Sequence, residues 1–79
     1  MVHKLKTWPE FFGAIREDIK RFEIRKDDRG FKVGDYLLLQ EYDIKNNRYT
    51  GEEENRQITY ILSGPAFGLE KDYVCMSLE

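Results

Sequence analysis

Hydrophobic and polar positions follow two periods along this chain, and the points where the period changes mark its elements. Val2 to Lys6 reads as a short strand, with Val2 and Leu5 separated by His3 and Lys4. From Trp8 the spacing becomes helical. Trp8, Phe11, Phe12, Ile15 and Ile19 fall at i, i+3, i+4, i+7 and i+11, one face of an amphipathic helix reaching about Asp18. Thr7 and Glu10 have capping-box spacing at its start, and Pro9 falls in the first turn, where a missing N–H costs nothing. Period two returns at Phe22. Phe22 and Ile24 are expected to face the core, with Arg21, Glu23 and Arg25 pointing toward solvent or a cleft.

Asp27-Asp28-Arg29-Gly30 is turn chemistry, and Gly34 lends backbone freedom before the clearest strand, Asp35 to Asp43. That strand begins apolar on both faces, which predicts a central position. Ile44 to Arg56 reads as a polar hairpin loop with an acidic tip, Glu52-Glu53-Glu54. Two further strands follow, Gln57 to Ser63 and Asp72 to Leu78, divided by the breaker Ser63-Gly64-Pro65 and a compact loop. The order predicts one domain, residues 1–79, of α+β class: a small, mostly antiparallel five-stranded β-barrel with one capping α-helix.

Composition narrows the functional classes. The net charge of −2 and pI near 5.4 argue against a general polyanion binder, though a small basic patch can steer a ligand despite the total. A single cysteine, Cys75, forms no internal disulfide, which points to a reducing compartment. With no apolar leader after the first residues and no bilayer-length apolar run, the expectation is a soluble, cytoplasmic protein without membrane contact. One histidine and one cysteine do not make a structural zinc site, and no cofactor is implied.

Candidate chemistry concentrates between Asp18 and Asp35, where eleven of eighteen residues are charged. On a strand, Glu23 and Arg25 lie about 7 Å apart along one face, with Lys20 at the entry. Such a cluster reads either as a solvated face with surface ion pairs worth at most about 1 kcal/mol each, or as a pocket in which a carboxylate orients a cation. The helix aromatics read as core rather than as a base-stacking platform, with Trp8 set apart because it sits at the open helix end. His3 reads as a polar strand residue before it reads as a base, and the three glutamates as a solvated loop before a cation site.

The same stretch resembles the ASCH domains, whose fold belongs to the PUA-like β-barrels. Their signature, Gly-x-Lys-x-x-Glu-x-Arg, is met here by Asp18-Ile19-Lys20-Arg21-Phe22-Glu23-Ile24-Arg25 at three of its four positions. The likeness continues through Lys26 to Arg29, Phe31-Lys32-Val33-Gly34-Asp35 and the C-terminal Tyr73-Val74-Cys75-Met76-Ser77-Leu78, covering nearly the whole chain in the manner of small bacterial and phage ASCH-like proteins. The departure is Asp18, where the signature glycine permits a left-handed helix end.

The resemblance implies a helix–barrel cleft for RNA or a nucleotide-like ligand, lined by Lys20, Glu23 and Arg25. Asp28 and Arg29 join from the adjoining loop, and Trp8 stands at the helix start. One ASCH-like branch hydrolyses acylated cytidine with a lysine, a threonine and a glutamate. Here Glu23 stands at the position of that threonine, and a carboxylate does not replace a hydroxyl nucleophile. Three readings result: an RNA- or nucleotide-binding module; a small amidohydrolase using Lys20 and Glu23; and a protein-interaction domain, favoured if Glu23 and Arg25 are fully exposed.

Overall fold

A computed structural model describes all residues, Met1–Glu79. Its elements are β1 (Val2–Thr7), α1 (Pro9–Arg16), β2 (Phe22–Lys26), β3 (Tyr36–Asp43), β4 (Arg48–Ser63) and β5 (Tyr73–Leu78). The strands form one five-stranded sheet in the order β1-β3-β4-β5-β2. β1 runs parallel to β3, and every other pairing is antiparallel. The expected antiparallel barrel is therefore corrected to an open, mixed sheet. β1 and β2 are its two edges and share no ladder. Side chains hold them instead: Arg25 Nη2 donates to the Lys6 carbonyl and Arg29 Nη1 to the Lys4 carbonyl, each at 2.7 Å. Backbone acceptors that a closing ladder would use on β1 are thus already taken by guanidinium groups.

One apolar face of the sheet packs under α1. Leu5, Ile15, Phe31, Leu37, Leu39, Ile58, Val74, Met76 and Leu78 form the core cluster, and Phe12 is buried beside it on the helix. β3 is central, and its inward Leu37 and Leu39 have no solvent exposure. Truncating either to alanine costs about 2–5 kcal/mol through lost burial and a residual cavity.

The helix differs from expectation at both ends. Thr7 does not cap it. As the last residue of β1, Thr7 is buried and directs its hydroxyl to the Leu5 carbonyl at 3.3 Å. Trp8 occupies the cap position with extended backbone and no side-chain cap, and Pro9 opens the helix. At the other end the helix stops at Arg16, and Asp18 takes the left-handed conformation, φ 58°. The Ile19 amide then bonds the Ala14 carbonyl at 2.9 Å and the Asp18 amide the Ile15 carbonyl at 3.0 Å, the paired closure of a Schellman motif. Asp18 thus adopts the backbone that the signature glycine would.

The acidic segment is strand, not loop. Only four residues, Ile44 to Asn47, separate β3 from β4, and Glu52 to Glu54 lie within the 16-residue β4. Partners across the ribbon and from the helix stabilise them: Gln40 to Glu53 at 2.8 Å, Arg16 to Glu52 at 2.8 Å, and Arg16 to Glu54 at 2.9 Å. His3 is buried and meets Asp35 at 2.8 Å, tying β1 to the start of β3. No helix is long and apolar enough to cross a membrane.

Candidate functional site

β2 is inverted relative to the sequence expectation. Opposed residues of an antiparallel pair share a face. β5 sets Met76 opposite Glu23 and Val74 opposite Arg25, and both β5 side chains are core. Glu23 and Arg25 therefore turn inward, with Glu23 only 6% exposed, while Phe22 and Ile24 are 44% and 50% exposed. Alternation along a strand fixes which residues share a face, whereas the packing partner decides which face is buried. On an edge strand an inward charge also blunts unwanted pairing.

Glu23 then anchors a three-residue ion cluster. Lys20 Nζ donates to Oε1 at 2.8 Å and Arg25 Nε to Oε2 at 2.7 Å. Lys20 also donates to the Phe22 carbonyl at 2.6 Å, and Arg25 crosses to Lys6. Each carboxylate oxygen is engaged by a cation, so Glu23 acts as a fixed strut between Lys20 and Arg25 rather than as a free acceptor.

The cluster forms one wall of a concave pocket of about 430 Å³ between the two sheet edges and the start of α1. Lys6 and Thr7 line it from β1, Trp8 and Phe11 from the helix entry, and Phe22 and Ile24 from the rim of β2. Trp8 and Phe11 are stacked, with ring centroids 6.1 Å apart and planes 20° from parallel. Both are substantially exposed, so the upper half of the helix's apolar stripe serves the pocket and only Phe12 and Ile15 serve the core. Two cations, Lys20 and Arg25, face one carboxylate here, a slightly basic pocket on an acidic chain, while Lys6 offers its carbonyl to Arg25 and rests its ammonium over the Tyr42 ring.

Of the residues singled out from sequence, Trp8, Lys20, Glu23 and Arg25 meet at this pocket. Asp28 and Arg29 do not line it. Arg29 clips the β1 edge, and Asp28 lies 3.7 Å from Arg29 on the surface. Lys6, Thr7, Phe11, Phe22 and Ile24 were missed. Phe11 shares the helical stripe with true core residues, and the parallel placement of β1 that brings in Lys6 leaves no mark in local periodicity.

Edge strands, an inward ion cluster and a concave pocket define a small α+β domain built on an open mixed sheet. The chain belongs to the family described as "Domain of unknown function (DUF3850)", whose model matches residues 2–78. It is also similar to the "Uncharacterized 12.9 kDa protein in GpA 3'region" of Escherichia phage P2, with 34% identity over 58 residues, 73% of this chain. The chain spans about half of that relative's length, the match covering 51% of it.

Proposed function

We propose that the pocket binds RNA or a nucleotide-like ligand, that the chain is an ASCH-like recognition module, and that it works in the cytoplasm. The observation that carries this reading is the convergence of Lys20, Glu23 and Arg25 on one concave pocket beside the stacked Trp8–Phe11 pair. Lys20 and Arg25 contact phosphate, the aromatic pair offers a face to a base, and Glu23 holds both cations in place. Burial of Glu23 and partial burial of Arg25 weigh against an interaction domain with no pocket, since that reading needs both exposed.

Trp8 is the sole tryptophan and lines the pocket, so its fluorescence reports ligand directly. Titration with short RNAs and mononucleotides at low salt is expected to quench it. The salt slope should be shallow because few phosphates are engaged. Lys20→Ala and Arg25→Ala are each expected to weaken binding about tenfold, near the 1.4 kcal/mol that such a factor represents. An unquenched Trp8 across all ligands at low salt overturns the proposal.

A further inference from the structure

We propose that this pocket takes a single unpaired nucleobase and reads its pairing edge with the free main chain of β2. This rests on the pocket being the ligand site and adds which part of the ligand is recognised: the base itself, in a form that a duplex does not present.

Charge alone gives the site little grip. Lys20 and Arg25 against Glu23 leave about one positive charge, on a chain whose total is −2. The base must therefore supply much of the affinity, and the unspent hydrogen-bonding groups beside the pocket lie on the sheet edges.

Pairing sends the N–H and C=O groups of alternate residues to opposite sides of a strand. In β2 the Arg21 carbonyl accepts from the Leu78 amide, and the Asp27 amide donates to the Asp72 carbonyl. Residues 21, 23, 25 and 27 thus turn their main chain to β5, while Phe22, Ile24 and Lys26 turn theirs to the free edge. There the Phe22 carbonyl is taken by the Lys20 ammonium and the Lys26 carbonyl by the Asp28 amide. The Ile24 N–H and C=O are left without a partner. On β1 the Lys4 and Lys6 carbonyls meet arginines on the free edge, so the Lys6 N–H is unspent on that side too. Ile24 and Lys6 both line the pocket.

A donor and an acceptor on one residue complement the pairing edge of a nucleobase, where a donor stands beside an acceptor. The half-exposed, stacked Trp8–Phe11 pair meets the face of the ring. In a duplex both features are spent, since neighbouring pairs cover the face and the opposite strand takes the edge. The volume of about 430 Å³ lies within the range of small-ligand sites, roughly 300–1,000 Å³, and suits one nucleotide rather than a helix.

The test follows Trp8 fluorescence of the full chain with a short unstructured RNA, alone and annealed to its complement, and with adenosine 5′-monophosphate. Ribose 5-phosphate, which lacks the base, is measured by competition against the monophosphate. The single strand is expected to bind at least about tenfold more tightly than the duplex, and the monophosphate at least about tenfold more tightly than ribose 5-phosphate, each factor equal to about 1.4 kcal/mol. Ile24→Pro removes the N–H on the side that β5 does not use, which an edge strand tolerates. It is expected to weaken the monophosphate about tenfold with an unchanged circular dichroism spectrum, whereas Ile24→Ala, which keeps the N–H, weakens it less. Equal affinity for strand and duplex, or for the monophosphate and ribose 5-phosphate, overturns the unpaired-base inference and leaves the ligand site standing. A folded Ile24→Pro variant with parental affinity, or one no weaker than Ile24→Ala, overturns the main-chain reading. The strand-versus-duplex comparison needs no variant and decides even if Ile24→Pro does not fold. Silence toward every ligand overturns both the inference and the site.

Discussion

Glu23 is the residue on which the pocket's geometry depends. It is buried against Met76, and each carboxylate oxygen holds a cation. Glu23→Ala leaves Lys20 and Arg25 as two like charges without their common partner. The expected cost is about 2 kcal/mol, below the 3–5 kcal/mol of a fully buried pair because both cations keep some contact with water. Urea denaturation measures it, and a variant as stable as the parent would show that the cluster contributes nothing to folding. Asp35 makes a second residue-scale prediction. Its hydrogen bond to His3, helped by the Lys32 amide and the N-terminal amine, holds its carboxyl below the usual carboxylate range against the opposing effect of burial. A depressed folded-state value stabilises fully above the ordinary pKa near 4, and that contribution is lost as pH falls through the folded value. Asp35→Asn is therefore expected to be less stable than the parent at pH 7, with the gap closing below about pH 4. A gap independent of pH would sever it from this carboxylate.

At the scale of elements, the close of α1 shows how a backbone requirement is met by an unexpected residue. Asp18 holds the left-handed position of a Schellman closure, and its carboxylate lies 3.5 Å from Arg56. Asp18→Gly relieves the conformational strain while losing an exposed ion pair, and is expected to change stability by less than about 0.5 kcal/mol. Asp18→Val places a β-branched side chain at positive φ and is expected to cost about 1–2 kcal/mol in thermal or urea denaturation. Equal stability of the two variants would mean that the turn does not constrain this backbone. The body of α1, the central β3 and the strands β4 and β5 beyond Gln57 were legible because propensity and burial agree there. The helix stripe was read as one surface, yet an eight-residue helix buries only Phe12 and Ile15 of it. Glu52 to Glu54 were read as loop because a ribbon solvated on both faces carries no apolar period. Their strand is held by cross-strand and helix partners that local patterning does not encode. That Lys20, Glu23 and Arg25 lie close together was legible from their spacing, but their inward direction is set by the register with β5, a long-range fact.

For the whole molecule, the decisive feature is that the sheet stays open and its edges are joined by arginines. β1 has one ladder neighbour, β3, and its far edge is held only through the Arg25 and Arg29 contacts to Lys6 and Lys4. A strand secured on one side by a ladder and on the other by two side chains belongs to the less stable part of the molecule. Local opening there should fall below global unfolding in free energy. Arg25 also lines the pocket, so its removal confounds clipping with the proposed ligand contact. Arg29 lies outside the pocket and separates the two roles. Arg29→Ala is expected to lower stability by about 1 kcal/mol, less than the roughly 1.5–3 kcal/mol of a sheltered charged hydrogen bond because the Arg29 side chain is exposed. Hydrogen exchange should quicken selectively at β1, leave β4 and β5 near parental protection, and leave the Trp8 response to ligand intact. In the double variant Arg25→Ala/Arg29→Ala, β1 exchange should rise beyond the sum of the single effects, because either guanidinium alone still pins the same edge. Uniform loss of protection across all five strands would show instead that the edge clips belong to the global cooperative unit. Unchanged β1 exchange in both variants would show that β3 alone holds the strand.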